Sequence, residues 1–486
     1  MAYTRQESLG SGPNDSGLFF RQMSGIIFPF LFFFIVLPIL AFTLPLIVSV
    51  SALVMVTSFW WMHHLVGAFN FRRVNISTFY YWMYVAVIIT PGFFIYHDEI
   101  SPGKWRFLFG IESALLTVPL GIWITNFIYR FSKRETDRYF LRDVENEDFG
   151  RAALKPFLIL LVASVVLVLV NLIEIPEIPL LYLIRNPGDF LNAALVREDS
   201  FKLLNSNFTY AYYVVRGTIF PFLAVLAYGR YRSGGGRNWK RLFWISLTGA
   251  VFYASLTIEK LPVAAIFAFL GLFYYLFKGG RMSRLVTIVG PILFVSFPLL
   301  VIMLSYGDTK DAGIGPALAG LGARIFYSPS QVLFYYFEIF PNIISFQHGA
   351  AMMKLAHLMG WSTIDIPNTV GLYMAPPGTA VQSVSANGCF LGNLNADFGL
   401  PAVVIGGVAA GFLMQLVHVY LTRKPKTNAN LTAYAACMWA FSSLVSSPLT
   451  TVLLSGGVTF ALILAWLLGT KSPVGSPSQE AIAETG

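Results

Sequence analysis

The stretch PFLILLVASVVLVLVNLIE, residues 156–174, decides the fold of this chain. It carries no charge before its final glutamate, and a helix of about 20 apolar residues spans the hydrocarbon core of a bilayer. In lipid every backbone N–H and C=O must be hydrogen-bonded within the protein, and a helix meets that requirement by itself. The stretch therefore predicts a transmembrane helix.

The same pattern recurs along the 486 residues, of which 56% are hydrophobic and 12% charged. Such a composition excludes an ordinary soluble domain. The unbroken apolar runs exclude a β-barrel, whose strands alternate apolar and polar residues. We predict an all-α, polytopic membrane bundle of about twelve helices. The predicted spans are residues 27–43, 45–66, 76–96, 106–130, 156–174, 209–228, 242–257, 259–277, 285–304, 399–421, 431–447 and 451–469.

The distribution of Lys and Arg predicts the orientation. Residues 1–26 lack the features of a cleaved signal peptide, so we expect them to form a cytoplasmic tail. About 23 of the 33 Lys and Arg residues then fall on the inner side, as the positive-inside rule requires. One transmembrane domain over 27–470 and a disordered cytoplasmic tail over 471–486 complete the chain. The net charge of +9 is thus an orientation signal, and nucleic acid is not an expected partner.

Two predicted outer loops are much longer than the other connections. They cover about residues 175–208, the first long loop, and about 305–398, the second long loop. Long loops in a compact fold are usually functional or disordered, and both are rich in apolar and aromatic residues. The second contains two amphipathic stretches, Pro329–Ile344 and Phe346–Met359, which predict helices at the membrane interface. We expect the functional residues mainly in these loops.

Basic residues on the outer side oppose the charge bias, and binding an anion explains them most simply. Arg216 lies about two turns into a span, where a charge costs about 2.5 to 3.5 kcal/mol. Its planar guanidinium suits a phosphate, although snorkelling to the interface also explains its position. Lys260 stands beside Glu259, so these two side chains can also neutralise each other. The candidate anion ligands are Arg216, Arg324, Arg197, Lys260 and Arg185.

Aromatic, amide and acidic side chains in the second long loop predict sugar recognition and proton transfer. The candidate sugar ligands are Tyr327, Tyr335, Tyr336, Asn387 and Asn393. The candidate general bases are His348, Glu338 and Asp397. Asn393 and Asp397 share a face if they lie on one helix, but helix capping explains one of them equally well. Aromatic residues that anchor an interfacial helix likewise explain the tyrosines.

The chain resembles the Wzy-type O-antigen polymerases, the oligosaccharide repeat unit polymerases of bacterial envelopes, in three stretches. These are ARIFYSPSQVLFYYFEIFPN (323–342), SANGCFLGNLNADFGLPAVVIGGVAAGFLM (385–414) and IIFPFLFFFIVLPILAFTLPL (26–46). The resemblance implies an inner-membrane glycosyltransferase. It would move a growing glycan from undecaprenyl pyrophosphate to the terminal sugar hydroxyl of a new lipid-linked repeat unit, on the periplasmic face. No metal or cofactor is expected. The implied partners are the lipid-linked oligosaccharides and the bilayer, and a chain-length regulator protein remains a further candidate.

The chain departs from one pattern described for this family, an Arg followed eleven residues later by Gly, which none of Arg185, Arg197 and Arg324 satisfies. Three alternatives stay open. A multispanning polyprenyl-phosphate-sugar glycosyltransferase would use an acidic residue of the kind found at 97–99 (His-Asp-Glu). An O-antigen ligase would share the lipid donor but use another acceptor. A flippase or transporter would place charges and broken helices near the midplane.

Overall fold

The computed structural model describes residues 46–66, 73–98, 101–145, 147, 149–187, 189–203, 206–281, 314–350, 359–360, 364–375 and 385–469. Within these ranges the chain forms helices, turns and coil and no strand, which confirms the predicted all-α class. The helices are α1 (Leu46–Val66), α2 (Ile76–His97), α3 (Lys104–Ile128), α4 (Lys133–Leu141), α5 (Arg151–Glu174), α6 (Pro179–Arg185), α7 (Phe190–Leu203), α8 (Thr209–Arg232), α9 (Gly236–Ser255), α10 (Lys260–Phe277), α11 (Ile314–Gly322), α12 (Ser328–Ile339), α13 (Ile366–Met374), α14 (Phe390–Phe398), α15 (Leu400–Arg423), α16 (Asn428–Ser442), α17 (Leu449–Leu453) and α18 (Val458–Leu468).

Six segments of the described chain are long and apolar enough to cross a membrane: α2, α3, α5, α8, α15 and the unit Leu449–Leu468. The protein is therefore a multi-pass membrane protein. Ten of the predicted spans coincide with described helices. The other two, 27–43 and 285–304, lie outside the described residues, as do the tails 1–26 and 471–486.

The helix ends that the positive-inside rule assigns to the cytoplasmic side, which we call the basic ends, lie together in the structure. At the basic ends, Arg73 before α2 pairs with Asp137 of α4. Arg423 at the end of α15 lies 3.2 Å from Glu135, also on α4. These contacts join the start of α2 to the end of α15, so the two helices cross the bundle in opposite directions.

The opposite ends also meet. The side chain of Glu338, near the end of α12, accepts a hydrogen bond from the backbone N–H of Gly103 at the start of α3 (3.0 Å). The hydroxyl of Tyr212, near the start of α8, donates to Glu174 at the end of α5 (2.9 Å). In both pairs the end of one described helix thus meets the start of another.

Small residues let α3 and α15 pack closely. A Cβ added to Gly411 would lie 2.1 Å from the carbonyl oxygen of Val118, and one added to Gly121 would lie as close to the carbonyl oxygen of Val408. Gly407, one turn before Gly411, also faces α3. This spacing of small residues is typical of helix pairs in membranes, where close backbones replace the hydrophobic effect as the source of attraction.

Several polar side chains within the bundle are hydrogen-bonded between helices. Gln415 of α15 donates to Asn126 of α3 (2.7 Å) and accepts from Ser77 of α2 (3.1 Å). A ring nitrogen of His418 lies 2.7 Å from the hydroxyl oxygen of Tyr434 on α16. Such pairing is needed because an unsatisfied polar group in lipid is costly.

In the described part of the chain, three helical stretches contain a five-residue π-helical segment: Val85–Ile89, Val215–Ile219 and Ala323–Tyr327. Two residues after each segment stands a proline: Pro91, Pro221 and Pro329. Because proline lacks an N–H and its ring clashes with the carbonyl four residues earlier, a widened turn relieves the conflict. Arg216 and Arg324 are each the second residue of one of these segments.

The second long loop contributes a helix that packs into the bundle. The sequence predicts an interfacial helix over Pro329–Ile344, and α12 does form there. However, Ser330 Oγ donates to the carbonyl oxygen of Ile88, in the middle of α2 (3.0 Å), and the ring of Phe337 fills the space beside Gly110 of α3. The helix therefore packs along the C-terminal half of α2 and against α3. The second amphipathic stretch falls mainly outside the described residues.

Candidate functional site

A pocket with a cavity volume of about 30 Å³ lies where α7 meets the ends of α5, α8 and α9. Two of the predicted anion ligands, Arg197 of α7 and Arg216 of α8, line it. We call it the arginine pocket. Its remaining polar lining consists mostly of hydroxyl groups, those of Tyr212, Tyr213, Tyr253, Ser200 and Thr257. The structure thus brings a residue of the first long loop together with a residue inside a span.

Three contacts orient the guanidinium of Arg216. Its Nη2 lies 2.8 Å from Glu259 Oε2, and its Nη1 donates to Thr257 Oγ1 (2.9 Å). The guanidinium carbon also lies 5.4 Å from the ring centroid of Tyr213. The side chain is 10% exposed, so these partners offset much of the cost of removing a charge from water.

Lys260 is the first residue of α10, directly after Glu259. The sequence left open that these two side chains neutralise each other. Glu259 pairs with Arg216. The side chain of Lys260 lies outside the described part of the structure, so its role as an anion ligand stays a prediction that rests on the position of its backbone next to the arginine pocket.

The hydroxyl groups of the arginine pocket are themselves positioned by hydrogen bonds. Tyr253 donates to Asn171 Oδ1 (3.2 Å), and Ser200 donates to the carbonyl oxygen of Glu177 (3.0 Å). These two hydroxyl protons are used within the protein, so the guanidinium groups of Arg197 and Arg216 are the groups that would donate to an anion in the pocket.

The other two predicted cations stand elsewhere. Arg185 is exposed at the end of α6 and does not line the arginine pocket. Arg324 is exposed in its π-helical segment, which packs against the π-helical segment of α2. The described residues do not bring Arg324 to Arg216, so the predicted cations do not form a single site within this part of the chain.

Two of the candidate general bases lie next to each other. Asp397 is fully buried; its carboxylate accepts from the N–H of Gly349 (2.9 Å), and its carbonyl accepts from the N–H of His348 (3.1 Å). His348 is exposed and has a φ of +50°, a left-handed conformation that is unfavourable for a residue with a side chain. Asp397 therefore holds the turn that presents His348 at the surface.

Glu338, the third candidate base, caps a helix. Its Oε2 accepts from Ser101 Oγ (2.6 Å) and from the N–H of Gly103 (3.0 Å), directly before α3. A carboxylate is stabilised at a helix N-terminus by the unpaired N–H groups and the helix dipole. The structure thus gives this carboxylate a structural role, and its predicted catalytic role remains untested.

The predicted sugar ligands are divided between the interior and the surface. Tyr336 is fully buried, and its hydroxyl donates to the carbonyl oxygen of Ala386 (3.1 Å). Asn393 is 4% exposed. Three of the predicted ligands reach the surface at least in part: Tyr327, Tyr335 and Asn387. Of the predicted sugar ligands, these three have surface that a bound sugar could contact.

Sequence reasoning missed two residues of this region. Asn395 donates to the carbonyl oxygens of Tyr336 and Phe340 (3.2 Å each) and accepts from Arg106 Nη2 (3.3 Å). It fastens α14 to the end of α12 and to α3. Its signal was its place in the Asn-rich stretch, but the sequence alone does not show which of several asparagines is buried.

Glu112 is the second missed residue. It lies in the middle of the apolar run FLFGIESALLTVPL of α3, half-buried in the bundle. A carboxyl group within a span is costly, so it marks a functional position by default. The lone acidic residue in this run was a signal that could have been followed.

No group of three or more His, Cys, Asp or Glu residues that could hold a metal ion occurs among the described residues. Comparison with models of known protein families, with curated proteins and with solved structures gave no match. The function proposed below therefore rests on the residues of this chain and on the resemblance in its sequence.

Proposed function

We propose that this protein is a glycosyltransferase of the bacterial inner membrane that polymerises undecaprenyl-pyrophosphate-linked oligosaccharide repeat units into O-antigen or a related surface polysaccharide. The reaction would take place on the periplasmic face, with both termini in the cytoplasm. The observation that supports this best is the arginine pocket. It joins Arg197 and Arg216 to several hydroxyl groups, at helix ends opposite the basic ends of the bundle.

The proposed reaction makes few demands on the protein. The acceptor hydroxyl attacks the anomeric carbon of the donor, and the bond from that carbon to the pyrophosphate oxygen breaks, so that the pyrophosphate leaves with the electron pair. Arg197 and Arg216 would stabilise the charge that develops on it. Glu259 keeps the guanidinium of Arg216 neutralised and oriented when no anion is bound.

The acceptor hydroxyl must also lose a proton during the transfer. Among the three candidate bases, His348 is the exposed one, whereas Asp397 is buried and Glu338 caps α3. We assign His348 as the general base and Asp397 as the residue that positions its turn. The exposed tyrosines of the second long loop would bind the sugars.

Surface glycan from cells tests this proposal. Cells that lack the gene are supplied with the wild-type chain, Arg216→Ala, Arg197→Ala, or the control Arg134→Ala, which removes an exposed arginine of α4 at the basic ends. We expect the two pocket variants to lose the long glycan ladder and leave single repeat units, at protein levels equal to wild type by immunoblot. Unchanged chain lengths in both pocket variants would overturn the assignment.

A second candidate function is a flippase or transporter of lipid-linked oligosaccharides. The observation that favours it is that Arg216 and Arg324 both lie in π-helical interruptions of helices, since transporters often place charges at broken helices. Translocation of a lipid-linked repeat unit by the purified protein, without any increase in glycan length, would decide for this alternative. Transfer to a different acceptor would instead indicate a ligase.

A further inference from the structure

An apolar groove with a volume of about 490 Å³ lies between α14, α15 and the start of α17. We call it the lateral groove. Phe398 and Ile405, at its edge, are 45% and 68% exposed. Ile405 belongs to a spanning helix, so this exposed surface faces lipid. The lateral groove is therefore open to the bilayer.

The lateral groove extends along the first turns of α15, beyond its N-terminal end. A Cβ on Gly406 would lie 2.1 Å from the side chain of Leu394, so α14 folds back along the first turns of α15. At a rise of about 1.5 Å per residue, this contact lies about 9 Å from Leu400, the start of α15. Asn393, next to Leu394, therefore lies beside the first turns of α15.

Two of the described residues that line the lateral groove are polar, Asn393 and Thr450, and Asn393 carries the amide. Its side chain lines the lateral groove and is 4% exposed. Neither its Oδ1 nor its Nδ2 has a hydrogen-bond partner within the described part of the chain. Buried amides are almost always hydrogen-bonded, because an unpaired amide in an apolar environment is costly. The geometry calls for a partner that enters through the groove.

The chemistry of the lining selects the partner. None of the described residues that line the lateral groove is Lys or Arg, so it offers no cation to a phosphate or pyrophosphate. An isoprenoid chain has no polar atom before its phosphate and would leave the amide unpaired. An acyl chain carries a neutral ester carbonyl at its head, which accepts a hydrogen bond without bringing charge into the groove.

We propose that the lateral groove binds one acyl chain of a glycerophospholipid and that Asn393 Nδ2 donates a hydrogen bond to its ester carbonyl. Asn393 is then a lipid ligand and not a sugar ligand. This inference is independent of the proposed glycosyl transfer, because it uses no residue of the arginine pocket.

Lipid retained by the purified full-length chain tests the proposal. The protein is purified in mild detergent, washed, and extracted, and the phospholipid and isoprenoid lipid per chain are measured by mass spectrometry. Asn393→Leu removes the donor, and Ala402→Phe fills the groove from α15. Ala163→Phe, on the exposed face of α5, is the matched control.

We expect wild type and Ala163→Phe to retain phospholipid, and both groove variants to retain about fivefold less, which corresponds to one lost hydrogen bond for Asn393→Leu. Size-exclusion chromatography checks folding, and Ala402→Phe keeps the test decisive if Asn393→Leu misfolds. Equal retention in the groove variants and wild type, or isoprenoid lipid in place of phospholipid, would overturn the proposal. The glycan ladder is a separate readout, so either proposal can fail alone.

Discussion

Arg216 and Glu259 form an ion pair that also reaches Thr257, and a single flat guanidinium makes both contacts. Replacing Arg216 by Lys keeps the charge and removes this fork. We expect Arg216→Lys to elongate glycan about tenfold more slowly than wild type and faster than Arg216→Ala, because a point charge cannot reproduce bidentate binding. Initial elongation rates measure this. A Lys variant as fast as wild type would show that charge alone is needed.

A buried ion pair at the basic ends of the bundle provides a stability prediction. Arg230 Nε lies 3.2 Å from Glu147 Oε2, and both side chains are at most 1% exposed. Removing one partner leaves the other charge buried and uncompensated, so Glu147→Ala should lower the free energy of unfolding by about 3 kcal/mol or more. Denaturant unfolding in detergent micelles measures it.

The exposed pair of Arg423 and Glu135 is the matched control for that measurement. Its side chains are 44% and 29% exposed, with the same 3.2 Å separation. Solvent screens such a pair, so Glu135→Ala should cost about 1 kcal/mol or less. Equal losses in Glu147→Ala and Glu135→Ala would contradict the role assigned to burial.

Lys426, between α15 and α16, gives the stability a pH dependence. Burial lowers its pKa from 10.5 to about 8, although the charge of Asp143 opposes this shift. Between about pH 8 and about pH 10.5 the unfolded chain holds a proton here that the folded chain has released, so this residue adds stability as the pH rises. The unfolding temperature of wild type should therefore increase relative to Lys426→Met across this window. A constant difference would contradict the lowered pKa.

At this scale the sequence identified residues but not their partners. Arg197 and Arg216 stood out because they oppose the charge bias, and the structure brings them to one pocket. The pairing of Arg216 with Glu259 could not be predicted, since the neighbouring Lys260 offered a closer partner in sequence. Arg230 was counted only as one of several inner charges, because nothing local indicates that Glu147 covers it.

At the scale of helices, the contact between α3 and α15 is the most sensitive to added volume. Gly411→Leu would push a side chain into the backbone of α3, so it should destabilise the protein by about 1 to 3 kcal/mol. Gly271→Leu in α10 is the matched control, because a Cβ there meets nothing within 4 Å. Unfolding of both variants in detergent compares them, and similar stability for the two would contradict this packing.

Helix positions were largely predictable, whereas helix placement was not. Apolar runs show where a span lies, but the amphipathic pattern of α12 fits an interface and a polar seam inside a bundle equally well. Its Ser330 and Glu338 satisfy polar groups of α2 and of the start of α3, which only tertiary structure reveals. A π-helical segment shifts the helical phase, but in helices that are apolar on most faces this shift leaves little trace in the sequence, and only the prolines that follow gave a local sign.

At the scale of the whole molecule, orientation can be measured by cysteine labelling. Cys389 and Cys437 are fully buried, so introduced cysteines should dominate the reaction. We expect a membrane-impermeant maleimide to label Asn192→Cys, in α7, in intact spheroplasts. Arg134→Cys, in α4, should react only after the membrane is permeabilised, because the basic ends face the cytoplasm. The reverse pattern would contradict the proposed orientation.

The class of the molecule follows from composition, since lipid permits only fully hydrogen-bonded spans. Composition does not give the number of spans. The helices α9 and α16 form where spans are predicted, but they fall short of the length or apolarity of a complete span. The arginine pocket was also only partly predictable from the sequence. Its residues come from separate helices, and no local pattern states which helix ends meet.

Reconstitution in liposomes tests most directly whether the arginine pocket supports glycan elongation on a lipid pyrophosphate. Purified wild-type protein in liposomes is given an undecaprenyl-pyrophosphate-linked repeat unit, and product length is followed with time. We predict lengthening glycans with wild type and with Arg134→Ala, and no product beyond the starting repeat unit with Arg216→Ala or Arg197→Ala. Elongation by both pocket variants at the wild-type rate, or translocation by wild type without elongation, would contradict the role of the arginine pocket in glycan elongation.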